Sequence, residues 1–308
     1  MTRTKCIVIA GPTASGKSTL SVKLAQALDG EIVNADSMQV YRGMDIGTAK
    51  PTPEERKGIP HRLFDVVDPD EEFNAASYRA LALPAVEKVV SGQKACFVTG
   101  GTGLYINSLT RGLFPCPPAD PAFRKELNDR CDTFGTMPLY EKLRRVDPRS
   151  AERIHPNDRI RIIRFLEIAH LTRRRPSDLF RDHGFSDHPL QVLKICLEIE
   201  REELYNRINQ RSITMVSSGL IEETEALMAK GYGPDLKPMK SIGYRHVVNY
   251  LRGKWSLDEA VHQLQKDTRR YAKRQLTWFR ADPEYSWIRP EDTDSLLSRV
   301  QSFLHEKS

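Results

Sequence analysis

The stretch "KCIVIAGPTASGKSTLSVKLA", residues 5–25, constrains this chain more than any other. It contains G-x-x-x-x-G-K-S, here Gly11, Pro12, Thr13, Ala14, Ser15, Gly16, Lys17 and Ser18. The apolar run "CIVIA" precedes the glycines, and Leu20, Leu24 and Leu28 follow at helical spacing. In a strand–glycine loop–helix context, backbone amides turn inward around phosphate oxygens, and the helix dipole points at the same charge. Lys17 adds a cation, and the Ser18 hydroxyl is placed to bind Mg2+ or a phosphate oxygen. The eight residues read as a P-loop for a phosphate or diphosphate. ATP is its default occupant, but a diphosphate on a different carrier satisfies the same amides.

The rest of the chain extends this beginning into an α/β domain. "EIVNA" (31–35) reads as a second strand ending at Asp36, "ASYRALALPAVEKVVSGQ" as a helix, and "KACFVTG" as a buried strand before the turn "GGTGLY". Strands alternating with helices predict a parallel sheet flanked by helices, with ligands at the strand ends. From "FPCPPADP" (114–121) prolines punctuate the chain, and a long helical texture follows. "LQVLKICLEI" (190–199) alternates like a strand, and a long helix is predicted over 257–280. The helix places Leu257, Val261, Leu264, Tyr271, Leu276 and Phe279 at apolar positions, and Lys266, Arg270, Lys273 and Arg274 on another face. The expected division is a first core part over 1–115, an all-helical insertion over 116–187, and core completion with basic helices over 188–308.

The net charge of +6 is unevenly spread. Residues 153–181 hold eight arginines against Asp158, Glu167 and Asp178, a balance of +5. Residues 266–280 hold six Lys/Arg against Asp267, again +5. Two basic stretches on a mildly acidic background point to a polyanionic partner, nucleic acid first, with solvated helix faces as the alternative. The apolar runs are too short to cross a bilayer. The N-terminus enters a strand directly, leaving no room for a signal peptide. Five cysteines without a C-x-x-C pair fit reduced thiols and a cytoplasmic setting.

A plain ATPase is a poor fit. No apolar strand ends in an Asp at a convincing position; "LFDVVDP" (63–69) comes nearest, interrupted by Asp65. "NADSMQVYRGMDIGTAKP" (34–51) sets Asp, Ser, Gln, Tyr, Arg and Thr behind a strand end. Asp36-Ser37 reads either as a cap on a following helix or as part of a polar cluster orienting a second substrate. His61 lies near this region, with structural hydrogen bonding as its alternative. His183 and His188 lack matched metal partners.

"GPTASGKS", "NADSMQVYRGMDIGTAKP", "GGTGLY", "HPNDRIRIIRFLEI", "SIGYR" and "AKRQLTWFR" occur in this order across nearly the whole chain. Together they resemble the bacterial tRNA dimethylallyltransferase (isopentenyltransferase, IPP transferase) family. The resemblance implies a P-loop core with a helical insertion, and transfer of a dimethylallyl group from its diphosphate to N6 of the adenosine 3′ of the anticodon. It implies Asp36 as general base, Ser37 and Gln39 recognising the adenine, and Thr102 poised near the bridging oxygen. Lys17, Ser18 and the amides of 13–18 would hold the diphosphate, helped by Mg2+, and Arg211 would contact it from the far side. A solvated helix charge is the alternative for Arg211. There is no D-D-x-x-D cluster of the kind many other prenyl-transferring enzymes use for magnesium.

The family's tRNA-contacting segments match Asp36, Ser37, Met38 and Gln39, then Ile160, Arg161, Ile162, Ile163 and Arg164. They continue in Lys240, Ser241, Ile242, Gly243, Tyr244 and Arg245, and in Lys273, Arg274, Gln275, Leu276, Thr277, Trp278, Phe279 and Arg280. Single contacts match Thr102 and Arg124. Where relatives commonly show Q-R-I-x-R this chain has "IRIIR", and Ile160 cannot make an amide's hydrogen bonds. Trp278 reads either as a base-stacking surface or as a core residue. The expected partners are the tRNA anticodon stem-loop and dimethylallyl diphosphate, with no membrane, and the working form is a monomer. Two other enzyme readings remain open: a prenyltransferase of free adenine nucleotides, or a P-loop small-molecule kinase. A regulatory NTPase that binds nucleic acid is the alternative from another class.

Overall fold

The computed structural model describes residues 3–185 and 187–306. Its first strand, β1 (Thr4–Ala10), runs into the glycine loop and out along α1 (Lys17–Ala27). β2 (Gly30–Asn34), α2 (Pro53–Arg56), β3 (His61–Arg62), α3 (Ala75–Ser91), β4 (Ala95–Gly100) and α4 (Gly103–Arg111) follow. Five helices come next: α5 (Pro121–Phe134), α6 (Met137–Val146), α7 (Pro148–Ala151), α8 (Arg159–Thr172) and α9 (Pro176–His183). The chain returns through β5 (Leu190–Leu197), α10 (Arg201–Ser217), α11 (Leu220–Ala229), α12 (Tyr244–Leu251), α13 (Leu257–Arg280), β6 (Ser286–Ile288) and α14 (Thr293–His305).

The six strands form one sheet in the order β3-β2-β4-β1-β5-β6, and every neighbouring pair is parallel. The four expected strands are its centre, and the two unexpected ones, β3 and β6, are its short edges. Because successive side chains point to opposite faces, β1 feeds two cores. Cys6, Val8 and Ala10 join Val33, Cys96, Val98 and the α3 residues Tyr78, Ala82 and Val86. Ile7 and Ile9 join Ile32, Phe97, Ile195, Leu197, the α1 residues Leu20 and Leu24, and the α14 residues Leu296 and Val300. Both faces are covered, as a parallel sheet requires, so the central strands read as unbroken apolar runs. All five cysteines are free thiols, and all but Cys116 are buried.

The chain divides into two compact units, one of 1–110 with 188–308, the other of 111–187. The helical unit therefore begins at Arg111, a few residues before the expected boundary at 116. It closes on its own core of Leu127, Leu139, Leu143, Ile162 and Leu166. Buried Asp147 organises its turns, accepting from the Ser150 amide, the Ser177 amide at 2.7 Å and the Ser177 hydroxyl at 2.7 Å. No helix among the described residues is long and apolar enough to cross a membrane.

Candidate active site

The P-loop has the backbone its glycines permit. Gly16, the residue before α1, has φ 87°, a left-handed conformation that costs a glycine nothing. No side chain caps α1 and no acidic residue lies in its first turn, so its leading amides stay open to an anion. The Ser15 hydroxyl is buried with no hydrogen-bond partner among the described residues, a polar atom left for something the loop would hold. Lys17 Nζ donates to the Pro12 carbonyl at 2.8 Å.

Beside the loop lies a cavity of about 660 Å³. Thr13, Ala14, Lys17 and Ser18 line it from the P-loop, and Asp36, Ser37, Met38 and Gln39 line it from the segment after β2. Arg211, Arg245 and Arg274 add cations from three helices. Arg211 is open to solvent, yet protein atoms packed around its guanidinium lower its pKa. Burial likewise draws Lys17 from 10.5 down to about 8, with Asp36 pulling upward and Arg211 adding to the fall. Burial raises Asp36 above the ordinary 3.8, against the Met38 amide and the Lys17 charge, which lower it. A carboxylate held away from bulk water beside a cationic phosphate cradle is suited to take a proton from a weakly acidic N–H.

The segment after β2 is not a helix start. Asp36 Oδ1 accepts from the Met38 amide at 2.8 Å within an irregular turn, and the next helix, α2, carries its own cap, Thr52. Asp36-Ser37 as a helix cap is thereby corrected. Thr102 is tied to this turn: its Oγ1 accepts from the Ser37 amide at 3.0 Å, and its own amide donates to the Ala35 carbonyl at 3.2 Å. Asp65 pairs with the buried Lys50 at 2.7 Å, which gives the interrupted "LFDVVDP" a structural task. His61 Nδ1–H donates to the Ile59 carbonyl at 2.8 Å, and the ring stacks on Phe64 at the cavity wall.

A family model described as IPP transferase matches residues 39–282. The chain belongs to the IPP transferase family. A tRNA dimethylallyltransferase from Syntrophobacter fumaroxidans is 53% identical over 96% of this chain and 86% of its own length. One from Geobacter sulfurreducens is 50% identical over 98% of this chain and 97% of its own. Among solved structures, the tRNA isopentenylpyrophosphate transferase of Bacillus halodurans aligns with TM-score 0.72 and 39% identity, covering 99% and 100% of the two chains. A eukaryotic dimethylallyltransferase described as acting on tRNA aligns with TM-score 0.79 and 28% identity, over 99% of this chain and 80% of its own.

The segments that resemble the IPP transferase family's tRNA contacts divide by helical period. On α13, Lys273, Arg274, Thr277, Trp278 and Arg280 are exposed, while Phe279 and Gln275 are buried. Trp278 is 45% exposed, lying against Gly103, so the core reading of this indole fails. Leu257, placed on the apolar stripe, is likewise exposed. Gln275 points inward: its Oε1 accepts from the Thr13 amide at 2.9 Å and its Nε2 donates to the Gly101 carbonyl at 2.9 Å. A Cβ on Gly101 would come within 2.2 Å of the Gln275 amide nitrogen, so a side chain there would displace this amide. Gln275 thus braces the P-loop against the GGTG turn from the cavity wall, with both ends of its amide engaged by backbone. Tyr244 is also fully buried, whereas Lys240 is exposed and Arg245 pairs with Asp267 at 2.5 Å.

In the helical unit Ile162 and Ile163 are buried, and Ile160 is 82% exposed. Arg124 and Arg164 both clamp the fully buried Glu167, Arg124 at 2.7 Å, and Arg161 pairs with Asp158 at 2.5 Å. Glu167 is held below its ordinary pKa by these arginines, against burial. Among the described residues neither His183 nor His188 joins a metal-like cluster: His183 Nδ1 accepts from the Phe185 amide, and His188 contacts the Thr110 carbonyl at 3.3 Å.

Some cavity residues were not marked by sequence. Thr268 joins Leu264, Tyr271 and the already marked Gln275 in one stripe of α13 facing the site, and Met215 follows Ile208 and Arg211 on α10. The readable signal was a Thr and a Gln at positions of an otherwise apolar helical stripe.

Proposed function

We propose that this enzyme transfers a dimethylallyl group from dimethylallyl diphosphate to N6 of the adenosine just 3′ of the anticodon in tRNA. The observation that carries it is one cavity holding a P-loop, a half-buried carboxylate and three arginines. Relatives named tRNA dimethylallyltransferase supply the identity of the two substrates.

The diphosphate lies on the amides of the P-loop, with Lys17 and Arg211 matching its charge. The adenine amine enters beside Asp36. As the C1–N6 bond forms, the C1–O bond to the diphosphate breaks and its electron pair stays on the leaving oxygen. Asp36 takes the N6 proton, restoring a neutral amine. The amine lone pair is delocalised into the ring, so proton acceptance and leaving-group stabilisation both contribute to the rate. Thr102, whose Oγ1 accepts from the Ser37 amide next to Asp36, is the hydroxyl that the family resemblance assigns to the junction of the two substrates.

The residues present fit Mg2+. Ser18 is exposed at the cavity wall, and Mg2+ takes substrate phosphate oxygens and waters where a protein cage is lacking. Ser18 and the diphosphate would hold it, and it would neutralise charge on the leaving group. The working form is a monomer in the cytoplasm, in keeping with the reading of the sequence.

Incubation with radiolabelled dimethylallyl diphosphate, Mg2+ and unmodified tRNA carrying adenosine at this position should place label in the tRNA. Label in free AMP alone, or none in tRNA, sinks the proposal.

A further inference from the structure

Glu223, on α11, lies outside every motif discussed so far, yet its carboxylate is fully engaged. Oε2 accepts from the amides of Asp45 at 3.0 Å and Ile46 at 2.8 Å, and Oε1 from the amide of Gly47 at 3.0 Å. The Tyr244 hydroxyl donates to Oε1 at 2.6 Å. Three consecutive backbone N–H groups converging on one anion form a nest, and charge-assisted bonds of this kind are the strong ones. Gly47 fits only because it has no side chain: a Cβ there would meet the Tyr244 ring at 2.4 Å.

The turn so fixed continues into Thr48 and Ala49, which line the cavity. Their carbonyls accept both protons of the Gln39 amide, at 3.1 and 3.0 Å. An amide group has two donors and one acceptor oxygen. With both donors taken by carbonyls, the flip of the Gln39 amide is settled, and Oε1 is what remains for a ligand. An exocyclic amine offers N–H donors, which suit that acceptor.

We propose that Glu223 and Tyr244 are positioning residues for the nucleobase: they fix the 45–49 turn, which fixes Gln39 so that its carbonyl oxygen reads the adenine N6–H. The inference rests on the adenine N6 transfer proposed above. Glu223→Gln replaces an acceptor with a donor facing backbone N–H groups and displaces the turn. It should lower kcat/KM for tRNA about tenfold or more, the scale of a lost hydrogen bond to a charged group. KM for dimethylallyl diphosphate should stay within about twofold, because the P-loop is untouched. Tyr244→Phe keeps the ring and removes one bond, so it should show a smaller loss of the same kind and serves if Glu223→Gln does not fold.

The deciding measurement is a cycle with Gln39→Ala. In that background the second substitution should cost little, since the group it positions is gone. Losses that multiply independently, or a matching rise in KM for the diphosphate, overturn the inference. If the unaltered enzyme labels no tRNA, the function proposed above falls first, and this inference falls with it.

Discussion

Lys17 and Asp36 share one cavity, and burial moves both toward neutrality, the lysine to about 8 and the carboxyl above 3.8. A bound diphosphate favours the ammonium form. Binding above about pH 8 must therefore take up a proton, and affinity should fall as pH rises past that point while staying level in this group below it. Calorimetry in two buffers of different ionisation enthalpy reads the uptake directly; equal heats at about pH 9 would exclude it. As the proposed base Asp36 acts only when deprotonated, so the acid limb of kcat/KM for tRNA should lie above the ordinary carboxylate value. Asp36→Asn should cut transfer by about 10²- to 10⁴-fold, the usual share of a general base, while tRNA retention on a filter persists. Near-normal turnover in that variant removes the carboxylate from the base role.

α13 shows what a sequence pattern can and cannot convey. Its length and amphipathic character were legible, because apolar residues recur at helical steps over 257–280. A contiguous motif, "KRQLTWFR", was not resolvable into faces without the fold: Lys273, Arg274 and Trp278 point outward, while Gln275 and Phe279 point inward. The brace made by Gln275 joins residues 262 and 174 positions away, a relation no local pattern contains. Replacing both Lys273 and Arg274 by Ala should weaken tRNA binding and reduce the slope of log K against log salt by about 1 to 2, with diphosphate affinity kept within a few-fold despite the place of Arg274 on the cavity wall. An unchanged slope would remove these two cations from the RNA contact.

At the scale of the molecule, the parallel sheet and its helical insertion were readable from element alternation, and the P-loop from one octapeptide. The edges were not. β3 and β6 are two and three residues long, too short to carry a periodic signal. The cavity was legible only in part, since Met215, Thr268 and Tyr271 enter it by helix register. Inorganic pyrophosphate with Mg2+ should stabilise the whole fold by mass action, about 2.7 kcal/mol at a hundredfold excess over Kd. Thermal unfolding measures this, and a midpoint insensitive to pyrophosphate would detach the loop from its assigned ligand.

Because the outer face of α13 carries exposed basic residues and its inner face braces the phosphate loop, the two proposed substrate contacts are keyed to the rotational phase of a single rod. An α-helix advances about 100° per residue. One alanine inserted between Leu264 and Gln275 would turn the brace away from Thr13 and Gly101, and the segment beyond it would be out of step with the segment before. Change along this helix can then proceed by substitution, but hardly by insertion or deletion, unless a whole turn comes or goes at once.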